Sequence, residues 1–176
     1  LVNSHCWGRM ITGPLSYLRK LSLQPKRNSA SSVVPDGTGD MRLSKNFTHK
    51  EFACKCGCGE GIVSNDLVNL VQRIRTAVGT SIRINSGIRC EKHNQAVGGT
   101  SRSWHIPREG VGRAADISYS NLSKHTDYNV LRLYTLADFF GAKGLGLYDN
   151  RVHVDVRDSG RARWIDSSWE WDPPSN

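Results

Sequence analysis

The sequence predicts an α+β domain in which a central antiparallel sheet is packed by helices. Two stretches carry apolar residues at helical spacing, and four shorter ones alternate or run apolar in the manner of strands. Their order is helix, strand, loop, strand, helix, hairpin, which excludes a strictly alternating parallel fold. The first helix begins at Asn65 or Asp66, either of which can cap it. It places Leu67, Leu70, Val71, Ile74 and Val78 on one face and stops at Gly79. Ser81–Asn85 alternates as a strand and runs into Ser86-Gly87. Residues 89–113 show no period, and a loop of that length inside a compact domain is usually functional. Ala114–Ser118 reads as the next strand. A second helix over about residues 126–140 turns Val130, Leu131, Leu133, Tyr134, Ala137 and Phe140 inward and ends at Gly141. Leu145–Tyr148 and Val152–Val156 then form a hairpin around Asp149-Asn150.

At roughly 150 residues per domain, 176 residues leave room for one domain and a tail. The segment 1–41 reads as a flexible basic leader or linker. It has Arg9, Arg19, Lys20, Lys26 and Arg27 before its first acid, Asp36, and two runs rich in Ser, Gly and Pro. A basic, acid-free start also has the composition of a targeting peptide, although a secretory signal would need a continuous apolar core. Residues 42–165 form the globular domain and 166–176 a C-terminal tail. No stretch approaches the ~18 consecutive apolar residues of a transmembrane helix. The net charge of +8 favours anionic partners: nucleic acid, an anionic membrane face or an acidic wall polymer. No helix-turn-helix or zinc-finger signature supports nucleic acid.

Three segments bring polar residues to strand ends and the long loop: Ser86–Arg89, Ser103–Asp116 and His153-Val-Asp155. Two histidines and one carboxylate from separate segments are the ligand set of a catalytic zinc site, with a fourth position left for water. His153 and Asp155 lie two apart on a strand and therefore share a face. One can bind a metal while the other sits beside the bound water.

These motifs fall in one order: Ser86-Gly-Ile-Arg89, His93-Asn94, Val97-Gly-Gly99, Ser103-x-His105, Gly112-x-Ala-x-Asp116-Ile and Gly144-x-Gly-x-Tyr148 before Val152-His-Val-Asp155. In that order they closely resemble the M15 zinc peptidases, the group of D-alanyl-D-alanine carboxypeptidases and phage endolysins. The opening Phe47…Glu51-Phe-x-Cys-x-Cys-Gly-Cys-Gly59 resembles its small phage- and prophage-associated branch. The resemblance covers about residues 45–165. It implies a fold like that of Hedgehog domains and D,D-peptidases, and a Zn²⁺ held by His105, Asp116 and His153. The implied reaction is hydrolysis of peptide bonds in peptidoglycan, trimming a terminal D-amino acid or cutting a cross-link. Arg89 is then expected to face the developing oxyanion or a substrate carboxylate. The expected general base is Asp155 by strand parity, then Asp149 in the turn, then Glu109 in the long loop. The expected setting is a monomer at the bacterial periplasm or cell wall, or in the host cytoplasm before release if phage-encoded.

Two departures from the family pattern stand out. The interval from His105 to Asp116 is lengthened through Pro107–Gly110, and Asn150 stands where many members carry an Asp three residues before the last zinc histidine. They keep a second reading open, a catalytically impaired peptidoglycan-binding module on the same fold. Cys54, Cys56, Cys58 and Cys90 leave three alternatives: a structural metal, disulfides or reduced thiols.

Overall fold

The structure, a computed structural model, describes residues 34–35, 40–59, 61–121, 123 and 126–170. The leader, apart from Val34–Pro35 and residues 40–41, and the tail from residue 171 on lie outside the described residues. Two short strands, β1 (Val34–Pro35) and β2 (Met41–Arg42), pair antiparallel ahead of a single-turn helix, α1 (His49–Phe52). There Thr48 and Glu51 form a capping box, the Thr48 N–H donating to Glu51 Oε2 at 2.8 Å. Phe47 and Phe52 on either side of this turn pack edge-to-face into the core.

The first long helix, α2, spans Asn65–Val78. Its cap is Ser64, one residue before the two candidates named above, because the Ser64 hydroxyl accepts the Asp66 N–H. Gly79 ends it in the left-handed region at φ 70°, a conformation glycine adopts without Cβ strain. Leu67, Val68, Leu70, Val71, Ile74 and Val78 are all buried.

A five-stranded sheet follows: β3 (Ile82–Ser86), β4 (Ala114–Tyr119), β5 (Gly144–Leu147), β6 (Val152–Asp155) and β7 (Ala162–Ile165). The spatial order is β3-β4-β6-β5-β7, antiparallel except for the parallel edge pair β5–β7. The expected antiparallel sheet is therefore present, with one parallel strand added at its edge. The long loop contains a short helix, α3 (Glu91–Ala96), and the second long helix, α4, spans Asp127–Phe139. Val130, Leu133 and Ala137 of α4 are buried, with Tyr134 and Phe140 packed at the margin. Leu131 is a correction: it was expected to turn inward but lies 36% exposed, because the buried stripe runs through 130, 133 and 137. The helices and the apolar sheet residues Ile82, Ile84, Ile117, Leu145, Leu147, Val152 and Val154 enclose one hydrophobic core.

Edge strand β7 is tied to the end of α4 by Asp138, whose carboxylate accepts from Arg161 at 2.7 Å and from the Arg163 guanidinium. The Arg163 hydrogen bond holds the Asp138 carboxyl below its ordinary range, with Arg161 adding to it. A depressed carboxyl stabilises the fold above the unfolded pKa of about 3.9, and that contribution disappears as pH falls through the folded value. Both partners are partly exposed, so the gain is about 1 kcal/mol or less. Asp138→Asn should therefore be slightly less stable than wild type at pH 7. In urea melts across pH, the two curves should converge below about pH 4.

Candidate active site

Register builds the centre of the site. Asp116 on β4 and His153 on β6 are direct cross-strand partners, and His105 reaches them from the long loop. His105 Nε2, Asp116 Oδ1 and His153 Nδ1 converge, with separations of 3.2 Å, 3.2 Å and 3.0 Å. All three residues are buried. A tetrahedral site with metal–ligand distances of about 2.0–2.1 Å needs donor atoms about 3.3 Å apart, so this triangle has the size of one face of such a site.

The hydrogen bonds behind the two rings decide which ring nitrogens face the triangle. His105 Nδ1 lies 2.6 Å from the Gly87 carbonyl, which can only accept, so Nδ1 carries the proton and Nε2 presents a lone pair. His153 Nε2 lies 3.2 Å from Asp155 Oδ2, which places a proton there and leaves Nδ1 facing Asp116. Two ring nitrogens and a carboxylate oxygen thus meet at a point where a cation would relieve their mutual repulsion. Burial lowers the His105 pKa and keeps that ring neutral. Burial also lowers the pKa of His153, but hydrogen bonds to Asp116 and Asp155 outweigh it and raise the value. A proton on His153 therefore competes with any metal for Nδ1. Asp116 is desolvated, yet its pairing with the His105 and His153 rings, which favours the charged carboxylate whenever a ring is protonated, holds its carboxyl far below the ordinary range.

Each ligand has its own brace. Arg89 Nη2 donates to Asp116 Oδ2 at 3.1 Å, and the guanidinium is held by Ser86 Oγ at 2.9 Å and Asn94 Oδ1 at 3.3 Å. Arg89 lines the cleft, as expected of a substrate-facing group, but its principal bond orients Asp116. Asn94 is buried and anchored through Nδ2 to the Thr100 carbonyl at 2.8 Å. Ser103 Oγ accepts the His105 N–H at 3.3 Å and shapes the turn that delivers the ring.

Asp155, the expected general base, sits on the far side of the His153 ring. Strand parity does put it on the face of His153, but it meets Nε2, the ring edge opposite Nδ1. It is wholly enclosed and accepts from Gly144 N at 2.8 Å, Arg157 N at 3.1 Å and the Arg157 guanidinium. Burial would raise its pKa, but the Arg157 and His153 hydrogen bonds hold it well below the ordinary range. A carboxylate so engaged is placed to orient the histidine. Glu109 is no closer to the role: its side chain is 89% exposed at φ 53° and pairs with Arg113 at 3.7 Å. Asp149 and Asn150 sit exposed in the β5–β6 turn.

The three donor atoms open on a cleft of about 590 Å³ walled by Arg89, Arg102, Arg151, Arg157, Tyr148 and Trp164. The glycines of Gly144-x-Gly146 make room for this wall. A Cβ on Gly144 would fall 1.9 Å from Asp155 Oδ2, and one on Gly146 would fall 2.3 Å from the Trp164 ring. Trp164 leans on His153 at 5.0 Å between centroids and donates from Nε1 to Tyr148 Oη at 3.1 Å. Arg157 and Trp164 were missed in the sequence. Parity with Asp155 would have marked Arg157, whereas Trp164 lies on a short edge strand that alternates half-buried and exposed residues and shows no apolar stripe.

Two inward histidines and a carboxylate at the floor of an open cleft form a group of the kind that holds a metal ion in metal-dependent hydrolases. Residues 45–155, more than half of the chain, match the family model described as Peptidase M15, and the chain belongs to that family. A search of the curated proteins finds no match.

The bracing of His153 makes Asp155→Asn informative. The variant should remain folded but bind metal about 10- to 100-fold more weakly, the usual effect of removing a carboxylate that orients a ligating histidine. Competition with a chromophoric chelator measures this. Unchanged affinity together with abolished catalysis would return Asp155 to the base role.

Proposed function

We propose that the protein is a zinc-dependent peptidase that hydrolyses peptide bonds in peptidoglycan stem peptides or their cross-links. The observation that carries the proposal is the convergence of His105 Nε2, Asp116 Oδ1 and His153 Nδ1 under a cation-lined cleft, in a chain of the M15 family. Zinc suits this donor set, as two imidazoles and one carboxylate match its borderline character. When bound, the ion supplies Lewis acidity and a water whose pKa is about 7.

The chain's own residues supply the remainder. Arg102 and Arg151 offer fixed positive charge to the carboxylates of an acidic stem peptide. Because Tyr148 Oη accepts from Trp164, its own proton is directed elsewhere and can be donated to a developing oxyanion. With Asp155 enclosed, Asp149 takes the base role in this reading, since it adjoins the cleft-lining Tyr148 in an exposed turn. The setting that goes with this substrate is the bacterial wall, reached from the periplasm or, for a phage product, after release from the host cytoplasm.

One observation favours a second reading, a peptidoglycan-binding module that keeps the fold and the metal. Among the described residues lining the cleft, Asp116 is the only carboxylate, and it belongs to the ligand set. The two readings separate when purified protein is incubated with muropeptides, with and without chelator, and the products are weighed by mass spectrometry. The peptidase reading expects new fragments that chelator and His153→Ala both abolish. Binding without cleavage supports the module, and neither binding nor cleavage removes both.

Within the peptidase reading, Asp149→Asn should lower the rate by about 10²–10⁴ while retaining the metal. Tyr148→Phe should lower kcat by about 10²–10³ with little change in KM, as expected when one oxyanion donor is lost. Steady-state kinetics on a defined muropeptide, with metal content measured in parallel, checks both.

A further inference from the structure

We infer that Cys54, Cys56, Cys58 and Cys90 form a second metal site, structural in role, that takes a thiophilic divalent cation such as zinc. Their four sulfurs all lie within 4.8 Å of one another. On an extended strand, Cys54 and Cys58 alone would be about 13 Å apart at roughly 3.3 Å per residue. The chain instead curls through Gly57 at φ 79° and Gly59 at φ 81°, left-handed positions that glycine takes without Cβ strain. Three alternate cysteines are thereby turned toward a single point. The fourth arrives from the N-cap of α3, more than thirty residues away.

The separations fit co-ligands. Cys54 Sγ and Cys56 Sγ are 3.3 Å apart, and Cys56 Sγ and Cys90 Sγ are 3.6 Å apart. A disulfide needs about 2.05 Å. A tetrahedral thiolate site with Zn–S of about 2.3 Å has edges of about 3.8 Å. The surroundings suit sulfur held as thiolate: the Cys90 N–H donates to Cys54 Sγ at 3.4 Å, and the His93 N–H donates to Cys90 Sγ at 3.3 Å. His93 Nδ1 lies 3.2 Å from Cys54 Sγ, where its N–H adds a further donor. Four protein ligands leave no open position, as in structural rather than catalytic zinc sites.

The site's position shows what it would hold. Cys54 follows Phe52 by two residues, and the Phe52 carbonyl accepts the Ile88 N–H at 2.7 Å. Cys90 directly follows Arg89. An ion there clamps the 52–58 turn onto the 86–90 segment, which supplies the Gly87 carbonyl to His105 and the Arg89 guanidinium to Asp116.

The test uses the whole chain and is independent of the peptidase reading. Elemental analysis should find about two zinc per chain in wild type and about one in either His153→Ala or the double variant Cys56→Ser/Cys58→Ser. Loaded with cobalt(II), His153→Ala should keep a thiolate-to-metal charge-transfer absorption that the double cysteine variant lacks. Where the cysteine variant fails to fold, the wild type supplies the readout. Cys56 and Cys58 are exposed, so without an ion they would react quickly with a thiol reagent. Slow reaction that chelator accelerates, ending with all five cysteines of the chain alkylated, supports the site. The proposal is overturned by a metal-free His153→Ala, by thiol reactivity indifferent to chelator, or by fewer than five alkylated cysteines in denaturant without reductant.

Discussion

Asp116 on β4 and His153 on β6 are register partners, so two strands that pair for ordinary backbone reasons also bring a carboxylate oxygen within 3.0 Å of an imidazole nitrogen. Side chains on a strand alternate faces, so a slip of one residue would turn Asp116 or His153 to the other side of the sheet. The register is held by Ala115, Ile117, Val152 and Val154, which point the other way into the core. Core packing and site geometry are thus two faces of one strand pairing. Few substitutions in β4 or β6 can change one without the other.

Three buried acceptors cannot be brought together unless each is restrained from behind. The restraints come from separate parts of the chain: the Gly87 carbonyl for His105, Arg89 for Asp116, and Asp155 with Arg157 for His153. Gly87 and Arg89 lie on the same short segment, so one arm of backbone orients two of the three residues of the triangle. That arm cannot shift freely. A Cβ on Gly87 would lie 2.3 Å from the Phe52 carbonyl oxygen, so the backbones there are already in contact. This close approach explains why a glycine is needed between Ser86 and Ile88.

Much of this was legible in the sequence, and the boundary is physical. The long helices and strands β3 to β6 announce themselves through periodicity and caps, and the residues at the centre through polar residues at strand ends and an order of motifs that resembles the M15 peptidases. Ser64 was passed over as cap because Asn65 and Asp66 are equally good cap formers, and only the backbone angles decide among them. The edge strand β7 was invisible because Ala162–Ile165 alternates between half-buried and exposed with no apolar stripe. The placement of Asp155 is more instructive. Parity predicts which face a residue shares, and it did so correctly. It is silent about which of two ring nitrogens a neighbour meets, and that distinction separates a ligand-orienting carboxylate from a base.

The cleft itself carries a consequence of that distinction. Arg89 and Arg157 are each bound to a buried carboxylate, so part of the positive charge in the wall is already spoken for by Asp116 and Asp155. Arg102 and Arg151 line the same cleft, Arg151 lying over the Tyr148 ring at 4.3 Å. A carboxylate built into such a wall would be drawn to these guanidinium groups and its basicity lowered. The wall thus pairs Arg89 and Arg157 with buried carboxylates, while Asp149 lies outside it on the exposed β5–β6 turn.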